Sequence, residues 1–236
     1  MENVPLYLNI GFMLITFFTV YLFYKAANNA RIVLIILITW LALQAAIGLT
    51  GFYTVANTFP PRFALLILPP FVFIAVLFIT QKGRAFIDSL NIKTLTLLHV
   101  IRIPVEFVLL GLFIHKTIPQ LMTFEGRNLD VISGITAPII YYFGFVKNKL
   151  SQKGLLAWNF ICLGLLINIV LNALLAAPFP FQQFAFDQPN IAILYFPFVW
   201  LPCCIVPIVL FSHLVTIRQL LAKQTKNKLA GVKFQH

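Results

Sequence analysis

Three ionisable residues occur within one apolar stretch of the chain: His99, Arg102 and Glu106. Their spacing of three and then four residues places them on one face of a helix, within an arc of roughly 60°. An ionisable side chain at bilayer depth costs at least ~2.5–3.5 kcal/mol, so such residues usually face a partner, a cavity or a transport pathway. The pattern therefore predicts an intramembrane polar site on the fourth apolar segment of the chain.

Arg102 and Glu106 are also four residues apart, and a pair at that spacing can neutralise itself on its own helix. Such a pair would fix the helix to its neighbours and take no part in chemistry. The alternative is a role in solute, proton or ligand handling, with Glu106 as proton or cation acceptor and Arg102 as its counter-charge. Pro104 frees the carbonyl group of Val100 between them, which favours a kink of the kind found at functional sites.

Four polar residues in other apolar segments are candidates to line a cavity at this site: Gln44, Asn168, Asn172 and His213. Gln44 is expected near the bilayer midplane, and Asn168 and Asn172 are one helical turn apart on one face. His213 is expected within about a turn of the depth of His99. Intramembrane amides also act as hydrogen-bond partners between helices, at about 0.6–2 kcal/mol each, so both roles are open.

A second group of charges, Glu125, Arg127 and Asp130, precedes the fifth apolar segment. Glu125 and Arg127 lie within one of the longest connections between segments, residues 116–128, and Asp130 follows it. The sequence indicates a solvated outer loop at this position, with a gate over an outer vestibule as the alternative.

Metal-binding and catalytic motifs are not found in the sequence. The three cysteines lie within apolar segments, without the CxxC or Cys/His spacings typical of zinc sites. HExxH and GxSxG are also absent. The sequence predicts no metal site, leaves any cofactor unknown, and favours a role other than catalysis without excluding an enzyme.

Composition excludes an ordinary soluble domain. Of the 236 residues, 61% are hydrophobic and 10% are charged, whereas soluble domains average about 45–50% apolar and about 25% charged residues. A single soluble core cannot bury this much apolar surface, but a bilayer can. The chain is predicted to be a multi-pass protein of the cell membrane, which would be the cytoplasmic membrane in a bacterium.

Apolar runs long enough to cross ~30 Å of hydrocarbon at 1.5 Å per residue predict seven transmembrane helices. Their approximate ranges are 4–24, 32–53, 63–80, 95–115, 129–146, 155–177 and 191–216. Residues 1–236 are thus expected to form one all-α polytopic domain. Gly134 and Pro138 interrupt the fifth run, which is among the shortest.

The distribution of basic residues predicts the orientation. Thirteen of the seventeen Lys and Arg residues lie in the connections after segments one, three and five and in the C-terminal tail. Since basic residues concentrate on the cytoplasmic side, the N-terminus is predicted outside and the C-terminus inside. The basic tail, residues 217–236, is expected to meet anionic lipid headgroups. Nucleic acid is not an expected partner, because no aromatic and basic domain accompanies the tail.

A weak internal repeat is compatible with a 3+1+3 arrangement. A shift of 128 residues superimposes segments one to three on segments five to seven and places Gln44 on Asn172. Inverted or parallel repeats of this kind occur in transporters. Chance alignment of helices with similar length and composition is the alternative explanation.

Three functional hypotheses fit the sequence. The first is a small-solute or proton-coupled transporter, with a polar site at the bilayer midplane built on the fourth helix. The second is a seven-helix sensor or a subunit that binds a partner protein. The third is an intramembrane enzyme acting on a lipid or quinone, with His99, Glu106 and His213 as acid and base groups.

The orientation is testable with reporter fusions. A fluorescent protein that folds only in the cytoplasm should be active when fused after residue 236, because the positive-inside rule places that end inside. Alkaline phosphatase, which is active only outside, should be inactive at the same position. The reverse pattern would overturn the predicted orientation.

Overall fold

The computed structural model describes residues 4–55, 58 and 61–233, and the protein is helical throughout. The helices are α1 Leu6–Ala26, α2 Arg31–Leu49, α3 Ala64–Ile79, α4 Gln81–Ser89, α5 Ile92–Leu98, α6 Arg102–Ile114, α7 Val131–Tyr141, α8 Gln152–Leu175 and α9 Val206–Lys233. A 3₁₀ turn, His99–Ile101, joins α5 to α6, and π-helical turns occur at Tyr142–Val146 and Leu201–Ile205. No β-strand occurs among the described residues.

Five helical stretches are long and apolar enough to cross a membrane. They are Leu6–Ala26, Arg31–Leu49, Ile92–Ile114, Gln152–Leu175 and Leu201–Thr225. Helices α3 and α4 add a sixth if they form one span, although a bend of 94° separates them. The remaining apolar helix, Val131–Val146, is shorter. The prediction of an all-helical fold is confirmed, and the five apolar helices are compatible with a multi-pass membrane protein, while seven spans and their orientation stay predictions.

The bend between α3 and α4 has a local cause. The side chain of Thr80 caps α4 by accepting a hydrogen bond from the amide of Gly83 at 3.1 Å. A Cβ atom at Gly83 would lie 2.3 Å from the carbonyl oxygen of Leu77, so only glycine fits this close approach. The capped start of α4 therefore turns the chain away from the axis of α3.

Helix α2 is attached to the chain before α9 by two tryptophans. Pro207 cannot donate a hydrogen bond to the carbonyl of Cys203 four residues earlier. The indole of Trp40 donates to that carbonyl instead, at 2.9 Å. The indole of Trp200 donates to the carbonyl of Leu41 at 3.0 Å. These bonds hold α2 beside the Leu201–Ile205 turn.

Helix α7 begins deep inside the bundle. A Cβ atom at Gly134 would lie 2.8 Å from Cγ1 of Ile103 and 3.0 Å from its amide nitrogen. Ile103 lies eleven residues before the end of α6 at Ile114, or about 17 Å along the helix axis. The first turn of α7 thus packs well below the outer end of α6. The connection 115–130 must descend into the bundle to reach it, and this explains why α7 is short.

The helices pack around the α5–α6 span, which contacts α1, α7 and α9. The segment between α8 and the Leu201–Ile205 turn, residues 176–200, is predicted to lie outside and is called the outer segment below. It folds back over this centre. Its Asn190 amide donates to the carbonyl of Ala176 at 2.8 Å, and its Ile191 amide donates to the carbonyl of Thr117 at 3.1 Å. The basic region predicted at 217–236 begins as a continuation of α9, and residues 234–236 lie outside the described part.

The close approach at Gly134 gives a stability prediction. Gly134→Ala should lower the free energy of unfolding by about 1–3 kcal/mol, because the new methyl group meets the backbone of α6. Thermal unfolding in detergent micelles measures the change. Gly164→Ala in α8 is the control, since a Cβ atom there meets nothing within 4 Å. Equal stability of both variants would contradict this account of the packing of α7.

Candidate functional site

Seven buried residues from four parts of the fold form a polar network within the helical bundle. They are His99, Arg102, Glu106, Asn128, Asp130, Asn159 and His213. The ion pair at its centre joins Arg102 Nη1 to Asp130 Oδ1 at 3.0 Å. Both side chains are almost fully buried, at 3% and 9% exposure. The pair connects the start of α6 to the residue that precedes α7.

Glu106 does not pair with Arg102. The ion pairs of the described residues are Arg102–Asp130 and the partly exposed pair Arg218–Asp88. Glu106 Oε1 instead accepts a hydrogen bond of 2.5 Å from the amide of Asn128. The structure thus disfavours the self-neutralising pair on α6, because the partner of each charged group comes from the connection that descends into the bundle.

Asn128 holds this carboxylate in place. Its side-chain nitrogen also donates to the carbonyl of Met122 at 3.0 Å, and its side-chain oxygen accepts from the amide of Asp130 at 3.0 Å. One side chain therefore links Glu106, the backbone of its own loop and the start of α7. A displacement of this loop would remove the hydrogen bond of Glu106 and the partner of Arg102 together.

The hydrogen bonds of His213 determine its tautomer. Arg102 Nη2 lies 3.2 Å from Nε2 of His213. A guanidinium group can only donate, so Nε2 must accept and the imidazole must be neutral. The proton then lies on Nδ1, which is 2.9 Å from Oδ1 of Asn159 and donates to it. His213 thus connects α8 and α9 to the ion pair.

His99 stacks on His213, with ring centroids 3.9 Å apart and an angle of 14° between the planes. Trp158 packs edge-on against His99 at 5.6 Å, and its indole donates to Thr136 Oγ1 at 2.9 Å. Neither ring nitrogen of His99 has a hydrogen-bond partner among the described residues. A charged His99 would be buried without a counter-ion, so the neutral form is favoured.

The network surrounds part of a cavity of about 90 Å³. Its polar lining residues are Arg102, Glu106, Asn128 and Asp130. The rest of the wall is apolar and comes from α3, α6, α8, the chain around Leu201–Ile205 and the outer segment. Glu106 Oε2 and Arg102 Nε have no hydrogen-bond partner in the described part of the chain. Glu106 thus lines a mostly hydrophobic cavity, and one of its carboxylate oxygens is buried without a partner in the described part of the chain.

The residues predicted to line a cavity have different positions. His213 bonds to Arg102 within the network, as described above. Gln44 instead accepts a hydrogen bond of 2.5 Å from the hydroxyl of Tyr53. Asn168 donates to the carbonyl of Arg127 at 3.1 Å, and Asn172 donates to the carbonyl of Asn168 at 2.9 Å. Gln44 and Asn168 thus connect their helices to neighbouring segments, Asn172 bonds within α8, and none of the three is among the lining residues of the 90 Å³ cavity.

The sequence predicts a solvated outer loop at Asp130, whereas the structure places this residue in the polar network. Its neighbours Glu125 and Arg127 are exposed, whereas Asn128 and Asp130 are buried. Asn159 is a second residue of the network that the sequence does not single out. The available signal for Asp130 was its place immediately before an apolar run, where a carboxylate must be either at the surface or paired.

The network contains ionisable residues that could in principle bind a metal. Among the described residues, however, no group of three or more His, Cys, Asp and Glu side chains is arranged to hold a metal ion. The two histidines face each other as stacked rings, so their nitrogens do not converge on one point. The geometry of the site is therefore that of a hydrogen-bonded network beside a cavity.

A family model described as Domain of unknown function (DUF8737) matches residues 60–221. The chain belongs to this family. The matched region begins just before α3 and ends within α9, so it contains the whole polar network and leaves out α1 and α2. No curated protein and no solved structure matches the chain.

The buried ion pair predicts strong coupling between its two members. Arg102→Met should lower the free energy of unfolding by about 3–5 kcal/mol, because it leaves Asp130 buried without a counter-charge. Asp130→Asn should also destabilise, and the double variant should lose clearly less than the sum of the single losses. Unfolding in mixed micelles gives these values.

The partly exposed pair Arg218–Asp88 provides the matched control. Arg218→Met should cost less than ~1 kcal/mol, because water screens this pair. Additive losses in the Arg102 and Asp130 variants would show that the two side chains do not interact energetically.

Proposed function

We propose that the chain is a membrane transporter that couples the movement of a small cationic solute to that of a proton. The charge balance of the polar network supports this proposal. Arg102 and Asp130 compensate each other, and His213 is neutral in its observed hydrogen bonds. Glu106 lines the cavity, and no cation of the described residues pairs with it.

An ionised Glu106 would leave one net negative charge inside the bundle. An uncompensated buried charge costs several kcal/mol, so the carboxylate needs either a proton or a cation. Both would neutralise the same group and therefore exclude each other. Competition of this kind makes the affinity of each ligand depend on the other, which is the thermodynamic basis of exchange. Asn128 orients one of the two carboxylate oxygens.

The cavity restricts the class of solute. Its volume of about 90 Å³ is several times the ~10–15 Å³ that a single water molecule requires, so the cavity can admit a small molecule. Its walls are mostly hydrophobic, so a strongly hydrated ion would lose its water without replacement. A compact cation with apolar substituents, such as an alkylammonium ion, matches both the volume and the lining.

The connection 115–130 and the outer segment together form an outer cover over the cavity. Movement of this cover would open the cavity. The descending connection carries Asn128 and Asp130, and the segment after α8 supplies Ile193 to the cavity wall. Any opening on this side must move groups that bond to Arg102 or Glu106. Protonation of Glu106 would weaken the hydrogen bond that its carboxylate accepts from the cover. The charge of the site and the position of the cover are therefore coupled in this mechanism.

Proteoliposomes with a pH-sensitive dye inside test the proposal. With an acidic interior, external tetramethylammonium should raise the internal pH, because its entry is exchanged for proton exit. Glu106→Gln should reduce this rate at least tenfold, since the amide is neutral and needs neither ligand. Binding of tetramethylammonium to the wild type should also strengthen as the pH rises.

Glu125→Gln is the matched control, because Glu125 is exposed in the outer connection. This variant should transport at the wild-type rate. Retained proton exchange in Glu106→Gln would refute the role of that carboxylate. An absence of tetramethylammonium-driven proton exit in wild-type proteoliposomes, relative to liposomes without protein, would refute the proposed class of solute.

A further inference from the structure

A long apolar groove runs along the start of α9, where Pro207, Ile208 and Phe211 line it. It is separate from the polar network, in which His213 of α9 bonds to Asn159 of α8. Its volume is about 670 Å³, and α2 and α3 form its two walls. The base consists of Cys203, Cys204 and the Pro207–Phe211 part of α9. Of its lining residues only Thr39 carries a hydroxyl group, and the indole of Trp40 is already bonded to Cys203. The groove is thus suited to a hydrocarbon chain.

The length of the groove corresponds to one leaflet of a bilayer. On α2 its lining runs from Ile32 to Leu43, which is about 17 Å at 1.5 Å per residue. Half of the ~30 Å hydrocarbon core is about 15 Å. A single acyl chain that starts at the membrane surface would therefore extend from one end of the groove to the other.

Basic side chains occur at the surface end of the groove. Arg31 is exposed and lies four residues before Ile35, which lines the groove, so both are on one face of α2. Lys82 is exposed and lies four residues before Phe86, which lines the groove from α4. The nearby Asp88 is engaged by Arg218 at 3.1 Å. Arg31 and Lys82 form no ion pair among the described residues, and each is close in sequence to residues that line this end of the groove.

We infer that this groove binds one anionic phospholipid, with an acyl chain between α2 and α3 and the headgroup phosphate between Arg31 and Lys82. Charge complementarity selects this occupant, because a neutral hydrocarbon or an apolar helix would gain nothing from the two cations. The predicted orientation places these residues on the cytoplasmic side, where anionic lipids attract basic side chains. The inference does not depend on the proposed transport.

Native mass spectrometry of the delipidated full-length protein tests this inference with phosphatidylglycerol and phosphatidylcholine as probes. Phosphatidylglycerol should bind with a saturating stoichiometry of one per chain, and more tightly than phosphatidylcholine. The double variant Arg31→Gln/Lys82→Gln should bind phosphatidylglycerol roughly thirtyfold more weakly. Ile36→Trp should abolish this site, because Ile36 is about half exposed in the groove wall and an indole would fill the space.

Two matched variants complete the experiment. Lys149→Gln/Lys153→Gln removes two exposed basic residues around the start of α8, and Ile161→Trp adds an indole to an exposed position on α8. Both should bind phosphatidylglycerol like the wild type. Equal, non-saturating binding of both lipids would overturn the inference, as would unchanged binding in Ile36→Trp. A protein dimer in place of bound lipid, lost in Ile36→Trp, would assign the groove to a second copy.

Discussion

The pairing of Arg102 with Asp130 is the interaction on which the rest of the polar interior depends. A guanidinium group at this depth requires a counter-charge, and Asp130 supplies it at 3.0 Å. The requirement brings the start of α7 down to the level of α6. It also positions Asn128, two residues earlier, so that its amide reaches Glu106. His213 adds a neutral acceptor for one nitrogen of the guanidinium group.

The same constraint explains an irregular architecture. Helix α7 is too short for an ordinary span because the chain before it occupies the outer part of the bundle. Pro207 at the start of α9 leaves the carbonyl of Cys203 without a helical partner, and the indole of Trp40 replaces the missing donor. Irregular backbone at membrane depth is tolerated where protein surrounds it. Here it forms the cover of the cavity that Glu106 lines.

Two cavities of the protein have contrasting chemistry. The small one is lined by α3, α6, α8 and the outer cover, and one carboxylate in it has no cationic partner among the described residues. The larger one is an apolar groove between α2 and α3 with basic residues at its surface end. Helix α2 lies outside the region matched by the family model, whereas the polar network lies within it.

The sequence alone determined the membrane class, because its hydrophobic content and run lengths reflect the solvent around each helix. It also determined that His99, Arg102 and Glu106 share a face, since helical spacing is local. Only the tertiary structure decided that Arg102 pairs with Asp130, and that Gln44 bonds to Tyr53 instead of the site. Partners on different helices depend on packing between distant segments, and the descent of a polar connection into the bundle leaves no periodic signal in the chain.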